Sequence, residues 1–417
     1  MVVGIVNFAL SPLLARSLGP VGRGSQSLVS VCDDASTAAF LMGIPASAGY
    51  EAKLRRYDDG QLLGSAVRFG ILATPLSVAI AVAIVLGPLG PLLDGPSKIL
   101  SFLLIGLSPL VGTIGVTARQ LLVTRGDLTG VSRVSLVAVG LRSGIIITAF
   151  VTHSLHLAVA IVAISFTGYA ANVYALFRLH VRPTRPTAPL LHLLRYGVKT
   201  IPSSLSQLSS GRIDQLLLAP FLSSHDLGLY AVSVTFNFAI VQLGHSVGVK
   251  VFYQAGASAT EKNAAARTIR QTICLLLFLG LGLAVFSFAG GVTLLLGSPF
   301  SGASLPCLLL IPGSIAYAAG VGVIGAVCQA LGRPGWNSVS QVTTLVLLAA
   351  ALPFVAPRYG LVGVALASTL AYVFGAGLLF VSAKRMGVAP LMPQKADLYM
   401  TFVSIRRAMR VLSLKKG

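Results

Sequence analysis

Charge clusters and Gly/Pro punctuation cut the chain into twelve apolar segments, most of them near the roughly 20 residues that carry a helix across about 30 Å of hydrocarbon. They run over about 1–18, 24–49, 62–87, 98–122, 128–151, 155–178, 194–220, 227–250, 267–296, 305–331, 337–356 and 360–383. An open strand cannot satisfy its backbone in lipid, so every segment is predicted to be a helix. With 55% hydrophobic and only 10% charged residues, against about a quarter charged in soluble domains, the 417 residues leave no room for a sizeable soluble domain. The fold class expected is an all-α integral membrane protein of about 12 transmembrane helices.

A net charge of +20 would suggest a nucleic-acid partner in a soluble protein, but the positions of the basic residues give a different reason for it. On alternate sides of the segments the Lys and Arg count is twenty-two against four, the four being Arg16, Arg23, Lys98 and Arg358. The positive-inside rule then places both termini in the cytoplasm, and nucleic acid is not expected as a partner. The tail, with Arg406, Arg407, Arg410, Lys415 and Lys416 among apolar residues, reads either as an amphipathic helix on the anionic inner leaflet or as a solvated topogenic tail.

Cys32, Cys274, Cys307 and Cys328 lie scattered in apolar segments without CxxC spacing, which indicates neither disulfides nor a metal site. Met1 to Leu14 has no basic n-region, so it reads as a short or truncated first span rather than a signal peptide. No HExxH, GxSxG or P-loop occurs, the histidines are dispersed and the outer loops are short, so an enzyme is not expected and no cofactor is implied. Without a nucleotide site, energy for any transport must come from a gradient or from the substrate itself.

The two halves of the chain echo each other. Leu14-Ala15-Arg16-Ser17-Leu18 ahead of Gly22 is matched by Leu218-Ala219-Pro220-Phe221-Leu222 ahead of Gly228, and Gln120 with Arg125-Gly126 by Gln329 with Arg333-Pro334-Gly335. Both offsets are a little over 200 residues, which predicts a parallel repeat of six helices. The expected division is a six-helix lobe over 1–178, a basic linker over 179–193, a second six-helix lobe over 194–384 and a basic cytoplasmic tail over 385–417.

Ionisable residues inside the membrane are functional candidates by default, and depth decides which qualify. Arg68 and Lys250 can snorkel to a surface. Arg142, about fourteen residues into its span and roughly 21 Å deep at the helical rise, cannot readily do so; Asp33, Asp34, Arg212 and Asp214 are also intramembrane. Lys199, Ser203, Gln207, Ser210 and Asp214 share one helical face, as do Gln26, Ser30, Asp33 and Thr37; Ser233, Asn237 and His245 form a weaker third stripe. Such stripes line a water-filled path or, alternatively, serve as hydrogen-bonded glue between helices.

Four stretches carry a family resemblance: Leu14-Ala15-Arg16-Ser17-Leu18-Gly19-Pro20-Val21-Gly22-Arg23-Gly24, Arg212-Ile213-Asp214-Gln215-Leu216-Leu217-Leu218, Leu227-Gly228-Leu229-Tyr230 and Pro357-Arg358-Tyr359-Gly360-Leu361-Val362-Gly363-Val364-Ala365. With them the chain resembles the polysaccharide flippases of the multidrug, oligosaccharidyl-lipid and polysaccharide exporter superfamily. The resemblance implies a V-shaped pair of six-helix lobes with alternating access. It also implies translocation of a polyprenyl-diphosphate-linked saccharide across a bacterial cytoplasmic membrane for cell-surface polysaccharide synthesis. Substrate contacts are then expected at Arg142, Lys199, Arg212, Gln207 and Asn237, and ion coupling or charge pairing at Asp33, Asp34 and Asp214. The expected partners are the lipid-linked saccharide, membrane lipids, H⁺ or Na⁺ as coupling ion, and a polysaccharide polymerase or glycosyltransferases, with the chain acting as a monomer. Two rival expectations are a cation-coupled drug or metabolite antiporter of the same superfamily and a non-transporting scaffold for polysaccharide enzymes.

Overall fold

The computed structural model describes residues 2–87, 89–184, 190–195, 197–198, 213–255, 258–331, 333, 335–388, 391–394 and 397. Among them all regular structure is helical, so the expected fold class is borne out. Among the described residues eight helices, or nine counting one bent pair, are long and apolar enough to cross a bilayer. Two of these are far too long for one crossing. Helix α1 (Val2–Leu41) and the helix Gly335–Arg385 have 40 and 51 residues, about 60 and 77 Å at 1.5 Å per residue. Each is divided by a glycine in a backbone region essentially closed to other residues: Gly19 at φ 64°, ψ 179° and Gly360 at φ 54°, ψ −145°. Those breaks fall between the first and second predicted spans and at the first residue of the twelfth.

The chain forms two compact units, Val2–Val232 and Ser233 onward. In the N-terminal unit α1 is followed by α2 (Ile44–Lys53), α3 (Asp59–Leu86), α4 (Gly95–Leu107), α5 (Thr113–Thr124), α6 (Leu128–Val151), α7 (Leu157–Ile161) and α8 (Thr167–Leu179). The predicted second span is not straight. The run bends by 49° between α1 and α2, where Met42 and Gly43 take φ of 42° and 69° ahead of Pro45 at the start of α2. Helix starts are marked by the chain's scarce acidic residues. The Asp58 N–H donates to Gln61 Oε1 (3.1 Å), Ser97 N–H to Asp94 Oδ1 (3.3 Å) and Gly130 N–H to Asp127 Oδ1 (2.8 Å), each pairing an end group that helices otherwise leave orphaned. At the helix ends Arg125 pairs with Asp59 at 2.6 Å and Arg178 with Asp127 at 3.4 Å. One core cluster joins Ile44, Leu62, Leu63, Phe69, Leu121 and Leu179 near this end, and another joins Leu10, Leu14, Ile146 and Leu155.

α4 and α5 are joined through a π-helical segment, Ser108–Gly112, and α7 and α8 through another, Val162–Phe166. A third, Ala318–Ile324, interrupts the helix that begins at Ser304 in the C-terminal unit. The first and third lie roughly 210 residues apart, in the fourth and tenth predicted spans. That spacing is close to the offset of the sequence echoes.

In the C-terminal unit the predicted span 267–296 begins earlier, at Ala259, because Ser258 and Glu261 form a capping box. It ends at Phe288, where Gly290 (φ 77°) separates it from the short helix Gly291–Leu296. Beyond Arg385 the chain folds back: Val388 and Leu391 are buried, and buried Asp397 accepts from Arg270 Nε (2.7 Å) and the Gln394 N–H (3.0 Å). Burial favours the neutral Asp397 carboxyl, but the hydrogen bonds from Arg270 and Gln394, with the charges of Arg270 and Arg267, outweigh it and hold the group below its ordinary value. A carboxylate depressed on folding stabilises the fold at neutral pH and loses that contribution as pH falls through the folded pKa. A fluorophore on Met392→Cys, an exposed position amid buried native cysteines, should therefore keep its anisotropy from pH 7 down to about pH 4 and lose it below. Arg270→Ala should show the low value already at pH 7; an unchanged anisotropy in that variant refutes the clasp.

Candidate functional site

The polar face predicted in the second span is present as two hydrogen-bonded groups on one side of the helix. Gln26 Nε2 donates to Ser30 Oγ (2.8 Å), Ser30 Oγ donates to the Gln26 carbonyl (3.1 Å), and Asp33 and Thr37 follow on the same side of α1. Opposite them stands Ser108, first residue of the π segment after α4. Thr37 lies 2.5 Å from Ser108 Oγ, and Ser108 Oγ donates to Asp33 Oδ1 at 2.9 Å. With one hydrogen per hydroxyl, the order that satisfies both contacts is Thr37 to Ser108 to Asp33. Tyr169 on α8 closes the cluster, with its hydroxyl 2.6 Å from the Leu104 carbonyl, 3.1 Å from Ser108 Oγ and 3.4 Å from Asp33 Oδ1. Its single hydrogen goes to Leu104, the shortest contact. Asp33 Oδ2 takes no hydrogen bond from any described residue, so one carboxylate oxygen is left for whatever enters beside it. Neighbouring Asp34 is exposed.

Arg142, on α6, is half-buried. Its Nε donates to the Ala163 carbonyl (3.3 Å) and its Nη2 to the Ile164 carbonyl (2.7 Å). Both acceptors belong to the π segment Val162–Phe166, where the altered i→i+5 pattern displaces carbonyls from regular helical pairing. Arg142 is thus held by the carbonyls of one π segment and Asp33 by Ser108 of another.

Asp214, at the start of the helix Ile213–Leu218, is almost completely buried. Its Oδ2 accepts from the Tyr230 hydroxyl and its Oδ1 from the Gln215 N–H at 2.9 Å, while Gln215 Oε1 accepts from Ser27 Oγ. Three of the stretches that carry the resemblance meet here. A methyl added at Gly228 would stand 1.8 Å from the Pro20 carbonyl oxygen, and one at Gly24 would stand 2.1 Å from that of Ser224. The motifs are thus complementary sides of one close helix crossing, with Asp214 fixed beside it.

Asn237 lies in the C-terminal unit, buried, with its Nδ2 donating to the Ser233 and Cys307 carbonyls (both 3.0 Å); Ser233 Oγ in turn donates to the Ala303 carbonyl at 2.8 Å. In this arrangement the third stripe is a seam between helices. Lys199, Gln207 and Arg212 lie outside the described residues. Sequence reasoning did not single out Ser108, Tyr169, Gln215 or Tyr230 as site residues; what marks each of them is a partner brought from another helix.

A family model described as polysaccharide biosynthesis protein matches residues 13–304. No curated protein is similar enough in sequence to count as a relative. Among solved structures, the lipid II flippase MurJ in an inward closed conformation superposes over 100% of this chain and 91% of its own, with a TM-score of 0.74 at 12% identity. An inward-facing multidrug resistance MATE transporter of the MOP superfamily superposes over 91% of this chain and 94% of its own, with a TM-score of 0.69 at 17% identity. A MOP superfamily transporter from Pyrococcus furiosus, described as having a binding pocket of reversed polarity, covers 92% of this chain and 93% of its own, with a TM-score of 0.58 at 18% identity. At these identities the likeness is one of fold, and it extends over nearly the whole length of each chain.

Proposed function

Since the chain belongs to the polysaccharide biosynthesis protein family, we propose that it flips a polyprenyl-diphosphate-linked saccharide from the cytoplasmic to the outer leaflet of a bacterial plasma membrane, with both termini cytoplasmic. The observation that carries this reading is that a carboxylate, Asp33, and a cation, Arg142, both lie inside apolar helices, each held by groups of a π-helical segment. A charge in mid-bilayer costs a few kcal/mol or more, and neither residue closes a helix crossing as Asp214 does. The head group of the proposed substrate is a sugar-bearing diphosphate that cannot enter hydrocarbon, while its polyprenyl chain can remain in lipid. Arg142 is the counter-charge we assign to the diphosphate, for its forked donors. Lys199, Arg212 and Gln207 are further substrate contacts, and Asp33 and Asp34 serve coupling to H⁺ or Na⁺ or charge pairing. Asn237 and Asp214, also expected in those two roles, are assigned to packing, because the amide nitrogen of the one and the carboxylate oxygens of the other are taken up by neighbouring protein groups. The path lies within one monomer, and a polymerase or glycosyltransferase on either side would consume or supply the substrate.

The test is the leaflet distribution of lipid-linked saccharide in cells depleted of the protein and complemented at matched membrane levels. Depletion should leave precursor on the cytoplasmic leaflet, wild type should clear it, and Arg142→Ala should clear it at least tenfold more slowly, the loss of about 1.5–3 kcal/mol from one charge-assisted contact. Unchanged precursor with raised drug sensitivity would replace the reading by the cation-coupled antiporter, for which the Asp33 cluster would be the ion site. Full activity of Arg142→Ala would remove that residue from the path.

A further inference from the structure

Outside this polar face, the surface of the N-terminal unit carries a groove of about 370 Å³ lined by Gly64, Val67, Arg68, Ile71, Leu72, Pro183 and Thr184. It exists because two glycines let the chain after α8 lie directly on α3. The Thr184 N–H donates to the Gly60 carbonyl at 3.0 Å, and a methyl group at Gly64 would meet the Thr184 carbonyl oxygen at 2.1 Å. The backbone at Pro183 and Thr184 forms a raised wall, and the next two turns of α3 form the floor. That floor is apolar and faces outward, Ile71 and Leu72 being 57% and 62% exposed. Arg68 is the one charged residue in the lining. It too is exposed, and among the described residues it has neither a hydrogen-bond acceptor nor a carboxylate partner.

The depth of the groove identifies its occupant. Arg68 stands nine residues after Asp59, the first residue of α3, about 13 Å along the helix axis. At the start of α3 lie Arg55, Arg56, the Asp59–Arg125 pair and Arg182. Arg68 is therefore at the inner margin of the basic end, where phosphate groups give way to acyl chains, and Ile71 and Leu72 continue into the hydrocarbon. A guanidinium beside a lipid-facing apolar floor suits a phosphodiester carrying two acyl chains. A free phosphate would leave the floor unused, and a zwitterionic head group would bring its own cation to the Arg. We propose that this groove is a binding site for one anionic phospholipid, with its phosphate on Arg68, its acyl chains along Ile71 and Leu72, and its head group against the Pro183–Thr184 wall. Lipid bound there bridges α3 and the segment that follows α8, adding a further attachment to the hydrogen bond at Gly60. The site does not depend on which substrate the protein carries.

The experiment is native mass spectrometry of the full-length protein released from nanodiscs of equal phosphatidylglycerol and phosphatidylcholine, counting retained lipid. Wild type should retain one phosphatidylglycerol in preference to phosphatidylcholine. Arg68→Ala should lower that occupancy about fivefold, the factor for about 1 kcal/mol of attraction between a basic residue and anionic lipid. Arg68→Lys, which keeps the charge but loses the fork, should fall between them, and it carries the comparison if the alanine variant does not accumulate. Arg133→Ala removes another exposed arginine, on α6, and should leave occupancy unchanged. Equal retention by wild type and Arg68→Ala overturns the site. So does an equal loss in Arg133→Ala, which would mean diffuse attraction, or the absence of any preference for phosphatidylglycerol.

Discussion

Gly228→Leu should fail to accumulate as folded protein, with a loss of about 3 kcal/mol or more, the upper range for overfilling a packed contact. The reason is geometric. Even the first carbon of a side chain at Gly228 would lie 1.8 Å from the Pro20 carbonyl oxygen and 3.1 Å from the Gly24 nitrogen. Both obstacles are backbone, so no rotamer change relieves them, and α1 would have to leave the helix Ser224–Gln254 together with the buried Ser27, Gln215, Asp214 and Tyr230 network. Fluorescence-detected size-exclusion chromatography of a tagged chain, before and after a heat step, reads this directly. Gly140→Ala and Gly144→Ala are the controls: an added methyl at either meets nothing within 4 Å, and Ala is favoured over Gly in a helix by up to about 1 kcal/mol. Normal melting of Gly228→Leu would mean that the two helices do not cross so closely.

Asp33→Asn should reduce saccharide translocation by about tenfold to a hundredfold while leaving the protein in the membrane at wild-type levels. Asn keeps an oxygen for Ser108 Oγ, 2.9 Å away in the wild type, so the hydrogen-bonded stripe can persist. What disappears is the negative charge and with it the unpartnered Oδ2. Hydrogen bonds to charged groups contribute about 1.5–3 kcal/mol, which sets the range. Tyr169→Phe should cost less, because the phenol hydrogen is committed to the Leu104 carbonyl at 2.6 Å and its removal touches Asp33 only indirectly. The measurement is the rate at which lipid-linked saccharide becomes accessible to a lectin outside spheroplasts. If Asp33→Asn moves substrate at the wild-type rate, the carboxylate is a structural acceptor. The span-two stripe would then be glue between helices.

The legibility of this site follows sequence distance. Gln26, Ser30, Asp33 and Thr37 could be found because one helix carries them at helical spacing, and the structure strings them along one face. Their partners could not be found in the same way. Ser108 and Tyr169 are 75 and 136 positions from Asp33, each on another span. Depth alone marked Arg142, since no apolar segment holds an arginine at mid-span without a partner. That the partner would be a pair of carbonyls had no sequence signal, because the π segment that presents them is a backbone event. Gly19 and Gly360 were legible only as punctuation between segments, whereas their positive φ values show why glycine stands there.

The amino-acid sequence by itself determined the solvent, the helical class and the approximate span boundaries. A bilayer imposes one requirement on every stretch of backbone, internal hydrogen bonding over a fixed thickness, and that requirement is local and readable residue by residue. Tertiary structure alone decided which polar residues keep an atom open and which are taken up in packing. Asp33 and Asp214 look alike in sequence, as intramembrane acids on polar stripes, yet one keeps an oxygen without a partner while the other spends both on Tyr230 and Gln215. That difference depends on what other helices bring within 3 Å, and contacts between distant segments leave no periodic trace in either one.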